Sequence, residues 1–286
     1  MFRKIKTQHL LLAPPVFWLA LFFIIPVLIV LGYSFGIGLT DGGNPDGFTL
    51  RFYRQAFEGM YLRIFLKSFF YAFVTTVITL SLAFPVAYFM AFASPRVKMT
   101  VMFLIILPFW TNFLIRMYSL MTLLGDSGLV NSVLIYTGIT DTPVRMLNNT
   151  TGVYIGFVYW NLPFMILPIF SSLDRMDISL IEASLDLGAS HRRTFFRITL
   201  PYAIPGVVAG IIFTFIPTLG NFVIPEFLGG TDNTMIGNVI TAQYLQARNW
   251  PFGSALSTIL MFIVMIFISL YIRFFDPTKS GKTMNF

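Results

Sequence analysis

Polar side chains recur at helical spacing inside the long apolar stretches of this 286-residue chain. Asn112, Arg116 and Ser119 follow one another at i, i+4 and i+7, which places them on one face of a helix. Three further sets share this pattern: Ser68, Tyr71, Thr75 and Thr79; Tyr154 and Asn161; and Thr214, Thr218 and Asn221. Polar groups are costly in lipid, so we expect each set either to line a cavity or to hydrogen-bond across helices.

No set of residues has the composition of a catalytic centre. The chain has no Cys, and its two His, His9 and His191, are far apart, which disfavours a His-based metal site. Gly281, Lys282 and Thr283 match the end of a phosphate-binding loop, but Asp276 stands where the first Gly is required. We therefore expect no catalytic residues, no metal site and no ATP hydrolysis by this chain.

Six apolar stretches are each long enough to cross a bilayer as a helix. They cover residues 10–31, 65–93, 101–124, 153–171, 201–228 and 254–275. The first follows three basic residues as a signal peptide would, but its length and the lack of a cleavage site favour an anchor. With only 11% charged residues, the sequence predicts an all-α integral membrane protein with one transmembrane domain over residues 1–286.

The basic residues concentrate on one side of the predicted spans. Residues 1–9, 94–100, 172–200 and 276–286, with Arg273 at the boundary, contain twelve of the nineteen Lys and Arg but five of the twelve acids. These segments therefore carry the whole net charge of +7. This is the positive-inside pattern, and it predicts a multi-pass protein with both termini in the cytoplasm. Nucleic-acid binding is not needed to explain the charge.

The predicted cytoplasmic loop over residues 179–201 has clear helix signals. Ser179 and Glu182 have capping-box spacing, which predicts a helix that begins just after Ser179. Gly188 fits a left-handed C-terminal stop, and Ser190 fits the cap of a second helix that begins near His191. The loop is either an amphipathic surface connector or a short helix that inserts into a groove of a partner.

The same loop resembles the EAA loop of ABC-importer permeases. Glu182-Ala183-Ser184, then Gly188, then the Ile-x-Leu-Pro sequence ending at Pro201 match that motif in spacing, with Ser184 in place of Ala. The resemblance implies a six-helix type I importer transmembrane domain whose loop docks into an ATP-hydrolysing subunit. It implies five coupling residues: Glu182, Ala183, Ser184, Asp186 and Gly188.

Four other segments are similar to the polyamine (spermidine/putrescine) branch of these permeases. They are Leu107–Leu120, Asp141–Thr150, Leu162–Asp177 and Phe227–Ala255. A polyamine is a polycation, and a path for it would combine carboxylates with aromatic faces, each worth about 0.5–2 kcal/mol. Among the polar, acidic and aromatic residues of the spans and their ends, the candidate path residues for such a substrate are Trp110, Asn112, Asp126, Tyr159, Trp160, Asn161, Asn221 and Glu226. Glu226 is the acid inside a predicted span; it either meets an ammonium group or pairs with Arg116 or a companion permease. Arg116 itself is expected to be structural, paired with a carboxylate on another helix.

The resemblance also implies the partners of the chain. They are a second homologous permease, two copies of a cytoplasmic ABC ATPase that holds ATP and Mg²⁺, and an extracytoplasmic polyamine-binding protein. Membrane lipid surrounds the spans, and this chain itself binds no cofactor. Two alternatives stay open: a permease of the same class for another small solute, and an ion-coupled secondary transporter. The second leaves the EAA-like loop unexplained. The sequence also shows no clear inverted repeat of the kind that many secondary transporters have.

Overall fold

The computed structural model describes residues 11, 12, 14–37 and 48–275. Throughout this part of the chain the regular elements are helical, and none is a β-strand. The helices are α1 Pro14–Ser34, α2 Arg51–Ala56, α3 Gly59–Phe92, α4 Pro95–Ile106, α5 Phe113–Leu124, α6 Leu129–Tyr136, α7 Thr150–Leu173, α8 Ser179–Asp186, α9 His191–Gly220, α10 Ile236–Leu245 and α11 Trp250–Phe275. The charged ends at residues 1–9 and 276–286, and with them Gly281, Lys282 and Thr283, lie outside the described residues.

Six helical segments of the described chain have the length and apolar composition of membrane spans. They are α1, α3, α5 together with α6, α7, α9 and α11. The all-α membrane fold predicted from composition is therefore confirmed. α3 is longer than a bilayer crossing requires, since it runs over 34 residues. A helix of that length either tilts in the membrane or extends beyond it.

The third predicted stretch, residues 101–124, is wrong as a single helix. α4 ends at Ile106, a 3₁₀ turn covers Leu107–Trp110, and α5 begins at Phe113. Pro108 has no N–H to donate within the turn. The Asn112 side-chain oxygen then accepts the Leu114 N–H at 2.8 Å and caps the new helix. The membrane-length segment in this region is Phe113–Tyr136, in which a turn separates α5 from α6.

The fifth predicted stretch, residues 201–228, is shifted toward the N-terminus. α9 begins at His191, passes through a π-helical turn at Phe195–Thr199, and ends at Gly220. Asn221 leaves the helix with extended backbone and caps the following turn, where its side-chain oxygen accepts the Ile224 N–H at 3.0 Å. A second π-helical turn, Pro225–Gly229, follows as a separate element.

The described chain divides into two compact units. The first contains the described residues of Met1–Arg63 together with Val239–Met265, and the second contains Ile64–Asn238 together with the described residues of Ile266–Phe286. In the first unit, the Ser34 and Tyr53 hydroxyls lie 2.7 Å apart and the rings of Tyr61 and Phe252 lie 4.9 Å apart. The prediction of a single transmembrane domain over the whole chain stays a prediction.

The core of the second unit is the contact between α7 and α9. Met165, Ile169 and Leu173 of α7 are almost fully buried there. A Cβ at Gly206 of α9 would overlap the Pro168 carbonyl oxygen, and a Cβ at Gly210 would lie 2.6 Å from the Met165 sulfur. The two glycines therefore allow a close backbone approach, as small residues do between membrane helices.

Candidate functional site

Helix α8 begins with a different cap from the one predicted. The Asp177 carboxylate, not the Ser179 hydroxyl, holds the first turn: it accepts the Ser179 backbone N–H at 3.0 Å. Hydrogen bonds from the backbone and then the side chain of Ser179 hold the pKa of the exposed Asp177 carboxyl below its ordinary value. The helix still starts at Ser179, with the exposed Glu182 in its first turn, where the helix dipole favours a negative charge.

The end of α8 is a Schellman turn built on Gly188. Gly188 has φ +82°, in the left-handed region that disfavours a side chain. Its N–H donates to the Leu185 carbonyl at 2.8 Å, and the Ala189 N–H donates to the Ser184 carbonyl at 3.1 Å. The left-handed stop predicted at this glycine is confirmed. It gives α8 a sharp end after two turns.

The turn leads directly into α9, and a side-chain contact joins the two helices. Ser190 caps α9 by accepting the Arg193 N–H at 3.4 Å, as its position predicts. The Ser184 and Thr194 hydroxyls lie 2.9 Å apart, so the small residue at the third EAA position ties α8 to the first turn of α9. The contact therefore joins α8 to the start of a membrane-length helix.

The rest of the α8 surface is exposed and partly apolar. Leu187 at the turn is 90% exposed and Leu180 is 46% exposed. A shallow groove of about 440 Å³ lies beside them. The residues that line this groove are Leu180, Ala183, Ser184, Leu187, Gly188, Ala189, Arg193, Arg197 and Ile198. Exposed apolar side chains beside arginines form a surface suited to another protein.

Two contacts fix the segment that leads into α8. The Lys98 ammonium and the Asp174 carboxylate form an ion pair at 2.5 Å. The Tyr202 hydroxyl donates to the Arg175 carbonyl at 3.1 Å. The first contact ties the end of α7 to the start of α4, and the second ties it to α9. We call residues 174–200, which run from Asp174 through α8 to the start of α9, the coupling segment.

The candidate path residues before α7 are exposed. Trp110 is 74% exposed, and its ring packs edge-on against Phe103 at 5.9 Å. Asn112 is exposed as well, but its side-chain oxygen serves as the cap of α5. Asp126 lies exposed in the turn between α5 and α6. The polar face predicted for Asn112, Arg116 and Ser119 is therefore split, since Arg116 is buried whereas the other two are exposed.

The candidates on α7 face α9 and the aromatic side of α5. Asn161 is 1% exposed and donates to the Phe157 carbonyl at 2.8 Å and to the Thr218 hydroxyl at 3.0 Å. Its side-chain oxygen has no hydrogen-bond partner among the described residues. Tyr159 and Trp160 are half-buried and pack against the core around Phe157. Asn161 thus forms the interhelical hydrogen bond that was one of its two expected roles.

The candidates after α9 lie in the irregular segment that follows Gly220. Asn221 caps the turn at Ile224, as described above. Glu226 is exposed in the Pro225–Gly229 turn, and its Oε2 accepts a hydrogen bond from the Asn238 amide at 3.1 Å. Glu226 is therefore beyond the end of α9 rather than inside a span. Across the described residues, no hydrogen bond or ring pair joins the candidate path residues to one another.

Arg116 has aromatic neighbours in place of the carboxylate expected for it. Its guanidinium carbon lies 4.4 Å from the Phe109 ring centroid and 4.9 Å from the Trp160 ring centroid. Within the described chain the ion pair found is Lys98–Asp174, and Arg116 has none. The expected pairing of Arg116 with a carboxylate, including Glu226, is therefore wrong for the carboxylates that the structure describes. The sequence shows that Phe109 and Trp160 are aromatic, but not that their rings contact Arg116.

A buried hydrogen-bond network was predicted in part: the polar pattern identified Ser68 and Tyr71, but not Asn233 or Thr150. The Asn233 side-chain oxygen accepts the Tyr71 hydroxyl at 2.5 Å and the Thr150 hydroxyl at 3.0 Å. The Ile236 N–H donates to the Ser68 hydroxyl at 2.8 Å. These contacts fasten the segment after α9 to α3 and α7. Asn233 lies within Phe227–Ala255, one of the segments similar to polyamine permeases, but that resemblance gave no indication of its hydrogen-bond partners.

Comparison with known proteins places this geometry in a family. Residues 59–280 match the family described as binding-protein-dependent transport system inner membrane component. The chain is 40% identical over 271 residues to the spermidine/putrescine transport system permease protein PotB of Haemophilus influenzae, covering 94% of each protein. It is 39% identical over 256 residues to PotB of Escherichia coli K12, covering 90% of this chain and 93% of the relative.

A solved structure shows the same fold at low identity. It is the bacterial alginate ABC transporter in complex with an alginate pentasaccharide-bound periplasmic protein. The match has a TM-score of 0.75 and 17% identity, and it covers 96% of this chain and 97% of the other. The described helices, the family match and the PotB relatives agree with one another. This multi-pass chain belongs to the family of inner-membrane permease components of binding-protein-dependent ABC importers.

Proposed function

We propose that this chain is a polyamine permease subunit that imports spermidine, putrescine or both. The observation that carries the proposal is the 40% identity to a spermidine/putrescine permease. The match covers 94% of this chain and 94% of that relative. The exposed α8, held by Asp177 and ended at Gly188, supplies the part by which an external ATPase would drive transport.

The coupling segment is proposed as the docking site of the ATPase. Five residues would form the contact: Glu182, Ala183, Ser184, Asp186 and Gly188. Four of them, all but Ser184, are exposed, and Ser184 bonds to Thr194 instead. ATP and Mg²⁺ would be held by the ATPase, and this chain would hydrolyse no nucleotide. ATP binding would move α8, and the Ser184–Thr194 contact would pass that movement to α9.

The assembly is proposed to contain a second homologous permease, two ATPase copies and an extracytoplasmic polyamine-binding protein. The family description names dependence on a binding protein, which supports that partner. The positive charge of residues 94–100 and 172–200 supports a cytoplasmic position for the coupling segment and for both termini. Most substrate selectivity would then reside in the binding protein, and the permease would supply a path of low affinity.

We propose that the polyamine contacts residues within the membrane-length helices and at their ends during transport. The candidates are Trp110, Asn112, Asp126, Tyr159, Trp160, Asn161, Asn221 and Glu226. Glu226 and Asp126 are exposed carboxylates, and Trp110 presents an exposed ring, so these three are free to meet an ammonium group. Asn112 and Asn221 act as caps, which limits their contact with substrate to their free amide groups.

Uptake into proteoliposomes tests this function. The complete complex would be reconstituted with binding protein and ATP, and labelled spermidine uptake measured with unlabelled putrescine, amino acids and oligosaccharide as competitors. We expect competition by polyamines alone and no uptake without ATP. Uptake that is blocked by another solute class and not by polyamines would contradict the proposal.

Glu226→Gln tests the entry contact separately. We expect a several-fold higher KM for spermidine, since a carboxylate that meets an ammonium group is lost. Glu58→Gln is the matched control, because Glu58 is also an exposed acid and lies between α2 and α3, outside the membrane-length helices. An unchanged KM in an assembled Glu226→Gln complex would remove Glu226 from the path.

A further inference from the structure

Arg116 is a buried charged residue that lies outside the coupling segment. Its side chain is 8% exposed, and it lies in the first turns of α5, which begins at Phe113. The N-terminal end of a helix is the positive end of its dipole, so a cation gains nothing from this position. Burial of the guanidinium therefore needs another source of stabilisation.

Aromatic rings supply that stabilisation. The guanidinium carbon lies 4.4 Å from the Phe109 ring centroid and 4.9 Å from the Trp160 ring centroid. Two more rings extend the group, since Phe113 lies 4.6 Å and Phe164 lies 6.0 Å from Trp160. We call Phe109, Phe113, Trp160 and Phe164 the ring cluster. Ring faces attract a cation, and the attraction is stronger where water is excluded.

In the described part of the chain, the buried nitrogen atoms of the guanidinium have only the rings as neighbours that stabilise its charge. Arg116 Nε and Nη1 are buried and have no hydrogen-bond acceptor among the residues that the structure describes. The same part of the chain gives Arg116 no ion pair. A cation held in this way can be exchanged for another cation without the loss of a hydrogen bond or a counter-ion.

We propose that the ring cluster is a cation subsite and that Arg116 is its tethered occupant, which a substrate ammonium group displaces during translocation. This inference rests on the proposed function for its natural ligand, a polyamine. The guanidinium fills the subsite when substrate is absent. An arriving ammonium group must compete with it, which keeps the affinity low enough for release. Passage through a transport path requires such weak binding.

Arg116→Met tests the competition, since it removes the tethered cation and keeps an unbranched apolar side chain. Binding of spermidine and of ethylguanidinium to the purified permease–ATPase complex would be measured without the binding protein. We expect both cations to bind about tenfold more tightly than to wild type, or about 1.4 kcal/mol. Arg116→Lys, which retains a tethered cation, should stay near wild type. Addition of Trp160→Leu to Arg116→Met should abolish the gain.

A measurement on the unchanged protein tests the same displacement. Phenylglyoxal modifies accessible arginine side chains, and mass spectrometry reports the extent at Arg116. We expect slow modification without ligand and a several-fold faster reaction with saturating spermidine or ethylguanidinium. Arg63, exposed at the start of α3, serves as the internal reference. An Arg116 rate that neither cation changes would overturn the inference, whether or not the Arg116 variants accumulate.

The remaining outcomes separate this inference from the proposed function. If Arg116→Met binds neither cation more tightly while wild type takes up spermidine, the subsite is wrong and the polyamine function stands. If ethylguanidinium gains affinity and spermidine does not, the subsite stands and polyamine is wrong. If Arg116→Met loses the companion permease while Arg116→Lys retains it, Arg116 pairs with a carboxylate of that subunit, and the inference fails.

Discussion

The α7–α9 contact and the coupling segment between these helices bury their apolar residues to opposite extents. In the contact, Met165 and Ile169 are fully buried, and Gly206 brings the two backbones together. In the coupling segment, Leu187 is 90% exposed and Phe196 is 55% exposed. The first region completes its packing within the chain. The second leaves apolar area uncovered, which is the pattern of a surface that another subunit covers.

Gly206→Val should break the packed side of this comparison with the largest effect. The new side chain would overlap Pro168 and Ile169 of α7, and overpacking of this kind costs about 1–3 kcal/mol or more. We expect little intact protein in the membrane, as measured by immunoblot and by fluorescence-detected gel filtration. Gly32→Val is the control, because a Cβ there meets nothing within 4 Å. Equal amounts of the two variants would show that the close approach is unimportant.

Gly188→Asp should break the exposed side and leave the packed side intact. The side chain is strained at φ +82° and places a charge on the proposed docking surface. We expect normal insertion and assembly of the permease pair but loss of uptake and of the bound ATPase.

Gly138→Asp provides the matched control for that variant. Gly138 has φ +70° and the same open surroundings, but it lies after α6, away from the coupling segment. The backbone strain is thus similar in both variants, and only the docking surface differs. Full uptake by Gly188→Asp, or equal loss in both variants, would contradict the docking role.

Thr218→Val sharpens the comparison by a smaller amount. It removes the hydroxyl that accepts the Asn161 amide at 3.0 Å, and an interhelical hydrogen bond in a membrane is worth about 0.6 kcal/mol on average. We expect a slightly lower Tm in detergent, with uptake largely retained. Ser119→Ala, which removes an exposed hydroxyl, should not change the Tm. A large loss of uptake with an unchanged Tm would instead place Thr218 in the substrate path.

The pH dependence of the coupling segment should show the smallest effect. Hydrogen bonds from Ser179 lower the pKa of Asp177, so the cap is present at pH values above the ordinary carboxyl range and is lost only as the pH falls through the lowered pKa. Between pH 5 and pH 8 we expect Asp177 to cause no change in uptake. Asp177→Asn, which keeps an acceptor, should retain more uptake than Asp177→Ala. A transition near neutral pH that disappears in Asp177→Asn would contradict this account.

The two regions also differ in how well their structure can be predicted from sequence. Gly188 and Ser190 act through their own backbone neighbours, so local spacing identified the end of α8 and the start of α9. Asp177 was missed because the Ser179–Glu182 pair satisfies the same capping pattern.

Contacts between helices were beyond the reach of the sequence. Arg116 contacts rings, although a carboxylate was expected. Which side chains surround it depends on which faces of α5 and α7 meet, and one sequence does not contain that information. The break before α5 had a visible signal in Pro108 and Asn112. A count of apolar residues treats Leu107–Trp110 as part of a span and so overlooks it.

Side-specific cysteine labelling tests the central claim, that the coupling segment is a cytoplasmic docking surface. The chain has no Cys, so Leu187→Cys introduces a single thiol at a 90% exposed position, and Tyr136→Cys introduces one at a 93% exposed position expected on the opposite side. In inverted vesicles we expect an impermeant maleimide to label Leu187→Cys alone, and added ATPase to protect it. Labelling of Leu187→Cys from the periplasmic side of intact spheroplasts, or labelling that the ATPase leaves unchanged, would contradict the claim.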